Sequence, residues 1–492
     1  MRVIGLDVGT SGVKSTVFDE RANVLAHAYR EYDLIGREKG EYELDPRVLL
    51  ASARAVIEQS ARGVGDVRAI CVTSFGESFV CLDERDEPLG NTMIYMDKRG
   101  SEACEAYLQL HTREQVFERS GQFVDPMFSI YKLHWLRAHR PEQMAATRRI
   151  CFIADYIAYS LGAEHACDYS LAARSGMFDV REKRWIDEAV AFSGLSARCL
   201  PRPVPGGSVV GELSAGAARS LGLAPGAKLI VGGHDQILAA LGSGAREAGD
   251  VMNGMGTVDC ITCVMDEAAL DSGKLLKYNF PMVPYFDSAL YVTYAFNMSG
   301  GCAVKWFRDV LATDVADRAD AYDILNREAP GEPTGLIVLP YLAGGGTPYM
   351  DASTPGVVAG LRLGTSRGAL FRAFLEGESY EMMLNIECLE DAGIGISKVI
   401  TAGGGAKSAL WMQLRADLFG RPVYLSAISE AGTLASALLC YVGLGLYPDA
   451  WTAQRALVGY ARSFEPRAEH TAAYAAHYRR YKALYRAVKE IY

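Results

Sequence analysis

The chain has 492 residues, beyond the roughly 250–300 at which a single hydrophobic core stops growing, so two domains are expected. Half of it is hydrophobic and 22% is charged, which excludes a disordered or fibrous protein. Fifty lysines and arginines against 59 acids give a net charge of −9; with no global attraction to nucleic acid or anionic membrane, neither is an expected partner.

The opening MRVIGLDVGT carries one arginine and then Asp7, which is not the pattern of a signal peptide. Val3 to Asp7 reads as a strand, Gly9-Thr10-Ser11-Gly12 as a turn, and Val13 to Phe18 and Val24 to Tyr29 as two further strands of an antiparallel meander. Asp45-Pro46 supplies an N-cap and a proline at the first helical position, predicting a helix to Arg62. A strand is expected over Val67 to Thr73, and a helix from Ser129 to His139 that stops before Pro141. Strands and helices alternate through residue 242, which predicts an α/β fold. After Gly242-Ser243-Gly244, residues 249–263 repeat the order strand, Gly-Thr turn, strand. The expected organisation is two domains, 1–245 and 246–492. Lys398 to Thr401 reads as a strand, Gly403-Gly404-Gly405 as a turn and Ser408 to Phe419 as a helix. The uncharged run Ala431 to Pro448 contains three glycines and a proline, so a buried helix with a glycine-rich exit is expected rather than a membrane span. Eleven cysteines, an odd number without zinc-ribbon spacing, predict reduced thiols in a cytoplasmic protein; Cys260 and Cys263 read as core thiols.

Three glycine-containing turns could carry chemistry. Asp7-Val8-Gly9-Thr10-Ser11-Gly12 makes a backbone nest able to wrap phosphate oxygens, although neither G-x-x-x-x-G-K-[ST] nor G-x-G-x-x-G is present here. A carboxylate beside a phosphate repels it unless a divalent cation lies between, so Asp7 points to Mg²⁺ with a nucleotide; the alternative is a plain hairpin turn. Gly256-Thr257 offers a second such turn, and the two could grip a polyphosphate from both sides of a cleft. Gly403-Gly404-Gly405 opens a helix and lets a flat ligand approach the backbone. In Gly233-His234-Asp235-Gln236, Asp235 follows a strand end, where α/β proteins place ligands; it could take a proton from a hydroxyl, or simply cap the following helix. Glu77, Asp97 and Arg99, each taken alone, read as solvated surface charges.

Together and in this order, these segments resemble the FGGY family of carbohydrate kinases, within the superfamily of sugar kinases, Hsp70-type ATPases and actin. Gly5 to Lys14 resembles the family's first phosphate hairpin, and Asp97-x-Arg99 its Asp-x-Arg. Met127-x-Ser129-x-x-Lys132-Leu133-x-Trp135-Leu136 resembles its first signature, Gly233-x-Asp235-Gln236 its catalytic-base segment, and Gly256-Thr257 its second phosphate hairpin. Gly300-Gly301 before Trp306, the region from Pro340 through Gly377, and Gly403 to Ser408 with Trp411 complete the set. The chain departs from the pattern at Phe75, where many members have Gln, at Tyr95, where Trp is usual, and at Met127, where glycerol kinases have an aromatic. Glu77 is similar to glycerol kinases, whereas xylulokinases have His.

The resemblance implies two ribonuclease-H-like, actin-like ATPase domains flanking a nucleotide cleft, with ATP and Mg²⁺ as cofactors and a homodimer as the candidate assembly. Asp235 would be the catalytic base and Asp7 would hold Mg²⁺ through water. Thr10, Ser11, Lys14, Gly256, Thr257, Gly301, Gly404, Gly405 and Ala406 would bind nucleotide. Phe75, Glu77, Asp97, Met127, Asp235 and Gln236 would bind substrate. The expected reaction is ATP-dependent phosphorylation of a small neutral sugar, a ketose such as xylulose or a related pentulose or deoxy-ketose. The alternatives are a glycerol-type polyol kinase, a sugar-responsive binding protein that has lost catalysis, and an actin-like or chaperone ATPase.

Overall fold

A computed structural model describes residues 1–36, 40–267, 271–286, 289–351, 353–428 and 430–492. The chain divides into two compact units, the first comprising Met1–Arg246, Pro281–Val292 and Glu430–Val458, the second the remainder. A single boundary near residue 245 would have left 281–292 and 430–458 with the second unit. The glycines of the first unit explain why the late helix Ala431–Gly443 belongs there. A Cβ on Gly5 would lie 2.2 Å from the Thr433 carbonyl oxygen, and one on Gly242 1.9 Å from that of Ala431. Only residues without a side chain let the backbones approach so closely.

The first unit is built on a six-stranded sheet in the order Val209–Glu212, Lys228–His234, Val67–Ser74, Arg2–Val8, Gly12–Asp19, Val24–Glu31. Its three central strands run parallel, and register pairs Thr73 with Asp7 on one side and with Gly233 on the other. Three strand ends therefore meet at one edge, where α/β sheets place ligands. The opening meander has the predicted antiparallel pairing. The helix Pro46–Ala61 is capped by the Asp45 side chain, which accepts from the Arg47 amide. The strand before Asp235 runs through a register shift between Val231 and Gly233 to His234. Gly232 and Gly233 allow the shift: a Cβ on Gly232 would sit 2.1 Å from the Val72 carbonyl oxygen, and Gly233 has φ +153°.

The second unit repeats the device. Its sheet runs Leu290–Asn297 (entering this unit at Thr293), Asp259–Asp266, Asp250–Met255, Lys398–Ala402, Val423–Ser426, Tyr460–Phe464. As in the first unit, a Gly-Thr hairpin is followed by a strand parallel to its first arm, here 250–254 against 398–402. The buried helix Arg367–Asp391 is joined to Ala468–Lys489 by hydrogen bonds to Tyr474 and Tyr481 and packs against Ala409–Phe419. All eleven cysteines are free thiols, with Cys260 and Cys263 on the strand 259–266. Among the described residues no helix is long and apolar enough to cross a membrane.

Candidate active site

The sheet edge of the first unit gathers four carboxylates. Asp7 sits one residue from the end of its strand, and the hairpin beyond it closes through the Gly9 amide donating to the Gly12 carbonyl at 2.9 Å. Thr10 is half-buried and Ser11 exposed at the tip. The Lys14 ammonium lies 3.6 Å from the Asp7 Oδ2 and 3.0 Å from the Glu430 Oε2. Burial pushes the Asp7 carboxyl up; Lys14 opposes this and Glu430 adds to it.

Asp235 is the first residue of the helix Asp235–Ser243, whose N-cap is His234, and no side chain caps that helix. The capping alternative therefore does not describe Asp235, whose side chain keeps 30% of its exposure and can meet a substrate. The corner before it is pinned from both sides. The Thr73 hydroxyl donates to the Gly233 carbonyl at 2.7 Å, and the His234 amide donates to the Ser170 hydroxyl at 2.8 Å. Ser170 is in turn fixed by the buried Asp168 carboxylate, which accepts from its amide. The Asp235 carboxyl is pushed up to about 8, first by burial and then by the charges of Asp7 and Glu77. The neighbouring His234 ring, 3.5 Å away, is buried and its pKa falls well below the ordinary value, so it is neutral. Gln236 is half-buried on the next position of the helix.

Glu77, Asp97 and Arg99 are not surface charges. Glu77 and Asp97 are buried, and Arg99 is nearly so. Glu77 adopts φ +59°, uncommon for a residue with a side chain. Its carbonyl accepts from the ammonium of the fully buried Lys132 at 3.1 Å, and its Oε1 forms an ion pair with Arg174. Arg174 also donates to the Gln122 Oε1 at 2.9 Å, approaches the Met127 sulfur at 3.9 Å and lies over the Phe128 ring. Tyr95 shares this neighbourhood: burial raises its phenol, Glu77 and Asp235 raise it further, and a hydrogen bond with Thr10 opposes them. Phe75 is buried, its amide donating to the Val8 carbonyl.

Asp97 stands apart from this group. Both its oxygens are engaged, by the Arg99 guanidinium and amide and by the Tyr42 amide at 2.9 Å, while Arg99 also reaches Glu43 at 2.8 Å and stacks over Trp135. Asp97 is thus held in an ion pair with Arg99, which links it to Glu43.

In the second unit the three glycine segments converge on the Gly256-Thr257 turn. The Gly301 and Cys302 amides donate to the Gly256 and Thr257 carbonyls at 3.0 and 3.1 Å. Gly403, at φ +100°, would place a Cβ 2.7 Å from the Met255 carbonyl oxygen, and a Cβ on Gly405 would strike Trp411 and Met255. Gly404 differs: its Cβ would meet nothing within 4 Å, and it faces solvent beside the buried Ala406. Beneath the turn lies a buried polar knot in which Arg415 pairs with Asp259 and Asn253 and stacks over Trp411.

Sequence reasoning missed Arg174, Glu430 and Arg415. Arg174 and Arg415 interrupt apolar stretches, the one hint available; Glu430 precedes an uncharged helix and carries no local signal.

The comparisons with known proteins agree with this geometry. The model of the FGGY family of carbohydrate kinases, N-terminal domain, matches residues 2–242, and that of the C-terminal domain matches 251–444. A glycerol kinase from Leptothrix cholodnii is 30% identical over 90% of this chain and 91% of its own length. A gluconokinase from Bacillus licheniformis is 26% identical over 96% and 93%. The crystal structure of a xylulose kinase from Rhodospirillum rubrum superposes with a TM-score of 0.89, 27% identity and coverage of 100% and 99%.

Proposed function

We propose that this chain, which belongs to the FGGY family of carbohydrate kinases and is a carbohydrate kinase, transfers the γ-phosphoryl group of ATP to a hydroxyl of a small neutral sugar, a ketose of the xylulose or deoxy-ketose kind. The observation that carries the reading is the meeting of Asp7, Asp235 and the Glu77 loop at the end of three parallel strands. Asp235 accepts the proton of the attacking hydroxyl, and a carboxylate pushed up to about 8 has the proton affinity such a base needs near neutral pH. Gln236, one residue on, offers a donor and an acceptor to a neighbouring hydroxyl. Glu77 accepts from sugar hydroxyls, and Phe75, Tyr95 and Met127 supply apolar surface to the carbon side.

In the first unit the hairpin Thr10-Ser11 with Lys14 binds phosphate and stabilises charge on the transferring group, the main task in this chemistry. In the second unit the Gly256-Thr257 turn binds phosphate by the same kind of hairpin. Gly301, Gly404, Gly405 and Ala406 receive the rest of the nucleotide. The donor set around Asp7 fits Mg²⁺. Asp7 supplies a hard carboxylate oxygen next to the phosphate hairpin, and its charge acts on Asp235. Bound there, Mg²⁺ would neutralise phosphate charge, with Asp7 as its carboxylate partner.

Glu77 and Glu430, already paired with Arg174 and Lys14, together with the further acid group of Asp7, favour a neutral sugar over an aldonate. A polyol is the second reading, supported by Glu77 and the similarity to a glycerol kinase. The test is an ATP-depletion screen over ketoses, deoxy-ketoses, polyols and aldonates. A neutral ketose should give the highest kcat/KM; gluconate as the best substrate would overturn the assignment.

A further inference from the structure

The tip of the first hairpin is held by a residue that lies outside it. Tyr32 directly follows the edge strand Val24–Glu31, which pairs with the hairpin's second arm and places Glu31 opposite Gly12. From there it engages two carbonyls of the tip. Its hydroxyl donates to the Gly9 oxygen, and its amide donates to the Ser11 oxygen at 3.3 Å. The Gly12 oxygen is taken by the Gly9 amide at 2.9 Å. The strand presses closely here: a Cβ on Gly12 would lie 2.6 Å from the Tyr29 hydroxyl and 2.8 Å from the Arg30 carbonyl oxygen.

A trans peptide points its C=O and its N–H in opposite directions, and both the Gly9–Thr10 and the Ser11–Gly12 peptides are trans. Holding the Gly9 oxygen toward Tyr32 therefore turns the Thr10 N–H away from it, and holding the Ser11 oxygen does the same for the Gly12 N–H. Among the described residues no backbone acceptor takes the Thr10 or Ser11 amide. Three carbonyl oxygens that would repel a phosphate are thus occupied, while the amides of the turn stay open. Backbone N–H groups gathered in this way form an anion-binding concavity. The Thr10 side chain lies on the same side as the rest of the site, hydrogen-bonded with Tyr95, whose phenol feels Glu77 and Asp235. Tyr32 stays a donor at neutral pH, because burial first, and then Asp7 and Tyr29, raise its phenol well above the ordinary value.

We propose that Tyr32 is a positioning residue for phosphoryl transfer: by binding the Gly9 and Ser11 carbonyls it aims the amides of the Thr10-Ser11 turn at the transferring phosphate. This rests on the reading of that hairpin as a phosphate site. Tyr32 acts through the hairpin and has no part in recognising the sugar. A donor that is aimed wrongly fails where charge builds up, so kcat suffers more than the binding of either substrate.

The experiment measures kcat and the KM values for ATP and for the best neutral sugar in wild type, Tyr32→Phe and Lys14→Met. Tm is recorded for the free proteins and with the sugar. Removing a hydroxyl from a half-buried ring leaves its packing in place, so Tyr32→Phe should fold, with a free-protein Tm within about 4 °C of wild type, as for one lost hydrogen bond. Its kcat should fall on the order of 10-fold, less than for a deleted donor because the Tyr32 amide still holds Ser11. KM for sugar should stay within about twofold and the sugar-induced Tm shift should match wild type. A kcat equal to wild type overturns the proposal, and so does a fall in kcat matched by a weakened sugar-induced shift, which would mean general loosening of the fold. The two readings fail differently. Lys14→Met removes the hairpin's own cation, and wild-type kcat and KM for ATP in that variant would defeat the phosphate reading of the hairpin. An impaired Lys14→Met beside an unimpaired Tyr32→Phe would defeat the role of Tyr32 alone.

Discussion

The Asp235 carboxyl gains its proton affinity from burial, with the charges of Asp7 and Glu77 adding to it. A group raised in this way is protonated below its pKa and cannot act as a base there. Activity in the free enzyme should therefore rise with pH and level off above about 8, read as log kcat/KM for the sugar against pH. Glu77→Gln removes one of the two charges and should move the midpoint down; a midpoint that stays put would separate the two residues electrostatically. Asp235→Asn should fold and bind ATP yet lose about 10²–10⁴-fold in kcat, the usual contribution of a placed base. A variant within a few-fold of wild type would remove Asp235 from the mechanism. Asp235 and Asp7 were legible in the sequence because both follow apolar runs that had to be strands, and strand ends in such sheets face ligands. Arg174 was not, because its partner is supplied by tertiary contact with a loop 97 residues away.

At the scale of elements, the glycine turns were readable since each is a local requirement: a positive φ at Gly403, or room for the nearby Trp411 side chain at Gly405. The knot that holds them was not. Arg415 on the helix Ala409–Phe419 reaches Asn253 and Asp259, 162 and 156 residues away, on the two arms of the Gly256-Thr257 hairpin. Asp259 lies two residues beyond Thr257, so its negative charge would stand close to bound phosphate if Arg415 did not balance it. Arg415→Met should thus destabilise the protein by about 3–5 kcal/mol, the usual consequence of leaving a buried charge unpaired, and raise KM for ATP. Adding Asp259→Asn should recover part of both losses, measured by thermal unfolding and by ATP kinetics; no recovery would mean that Arg415 acts by packing alone. Gly404→Val tests the turn itself. The added side chain meets no protein atom within 4 Å at Cβ, so Tm should hold while KM for ATP rises well above any change in KM for sugar. An equal effect on both substrates would place the nucleotide elsewhere.

For the whole molecule, the size of the chain predicted two domains, but not that residues 281–292 and 430–458 return to the first, because that exchange depends on close backbone approaches, of Gly121 to Met282 for the one segment and of Gly5 and Gly242 to Thr433 and Ala431 for the other. The second unit's stability carries a dependence on pH that likewise no local pattern reveals. Glu381, buried on the helix Arg367–Asp391, accepts hydrogen bonds from the Tyr341 and Tyr481 hydroxyls, tying that helix to Ala468–Lys489. Burial raises its carboxyl from 4.5 to about 8, with the Tyr341 bond opposing. Its Oε2 has no hydrogen-bond partner among the described residues, as suits a protonated acid. The sign follows directly. Between 4.5 and about 8 the folded protein holds a proton that the unfolded chain releases, so stability is full at low pH and is lost as pH rises through that range. Glu381→Gln has the shape of the protonated acid and keeps an acceptor for both tyrosines. It should match wild type at about pH 5 and exceed it in Tm at about pH 9, where the wild-type carboxyl must ionise in a buried site. Glu378, three residues before Glu381 on the same helix and also raised well above its ordinary value by burial and by Asp259, keeps part of the dependence in the variant. Melting curves of the two proteins that run parallel across this range would show that Glu381 stays ionised in the fold and that its tyrosine partners stabilise a carboxylate instead.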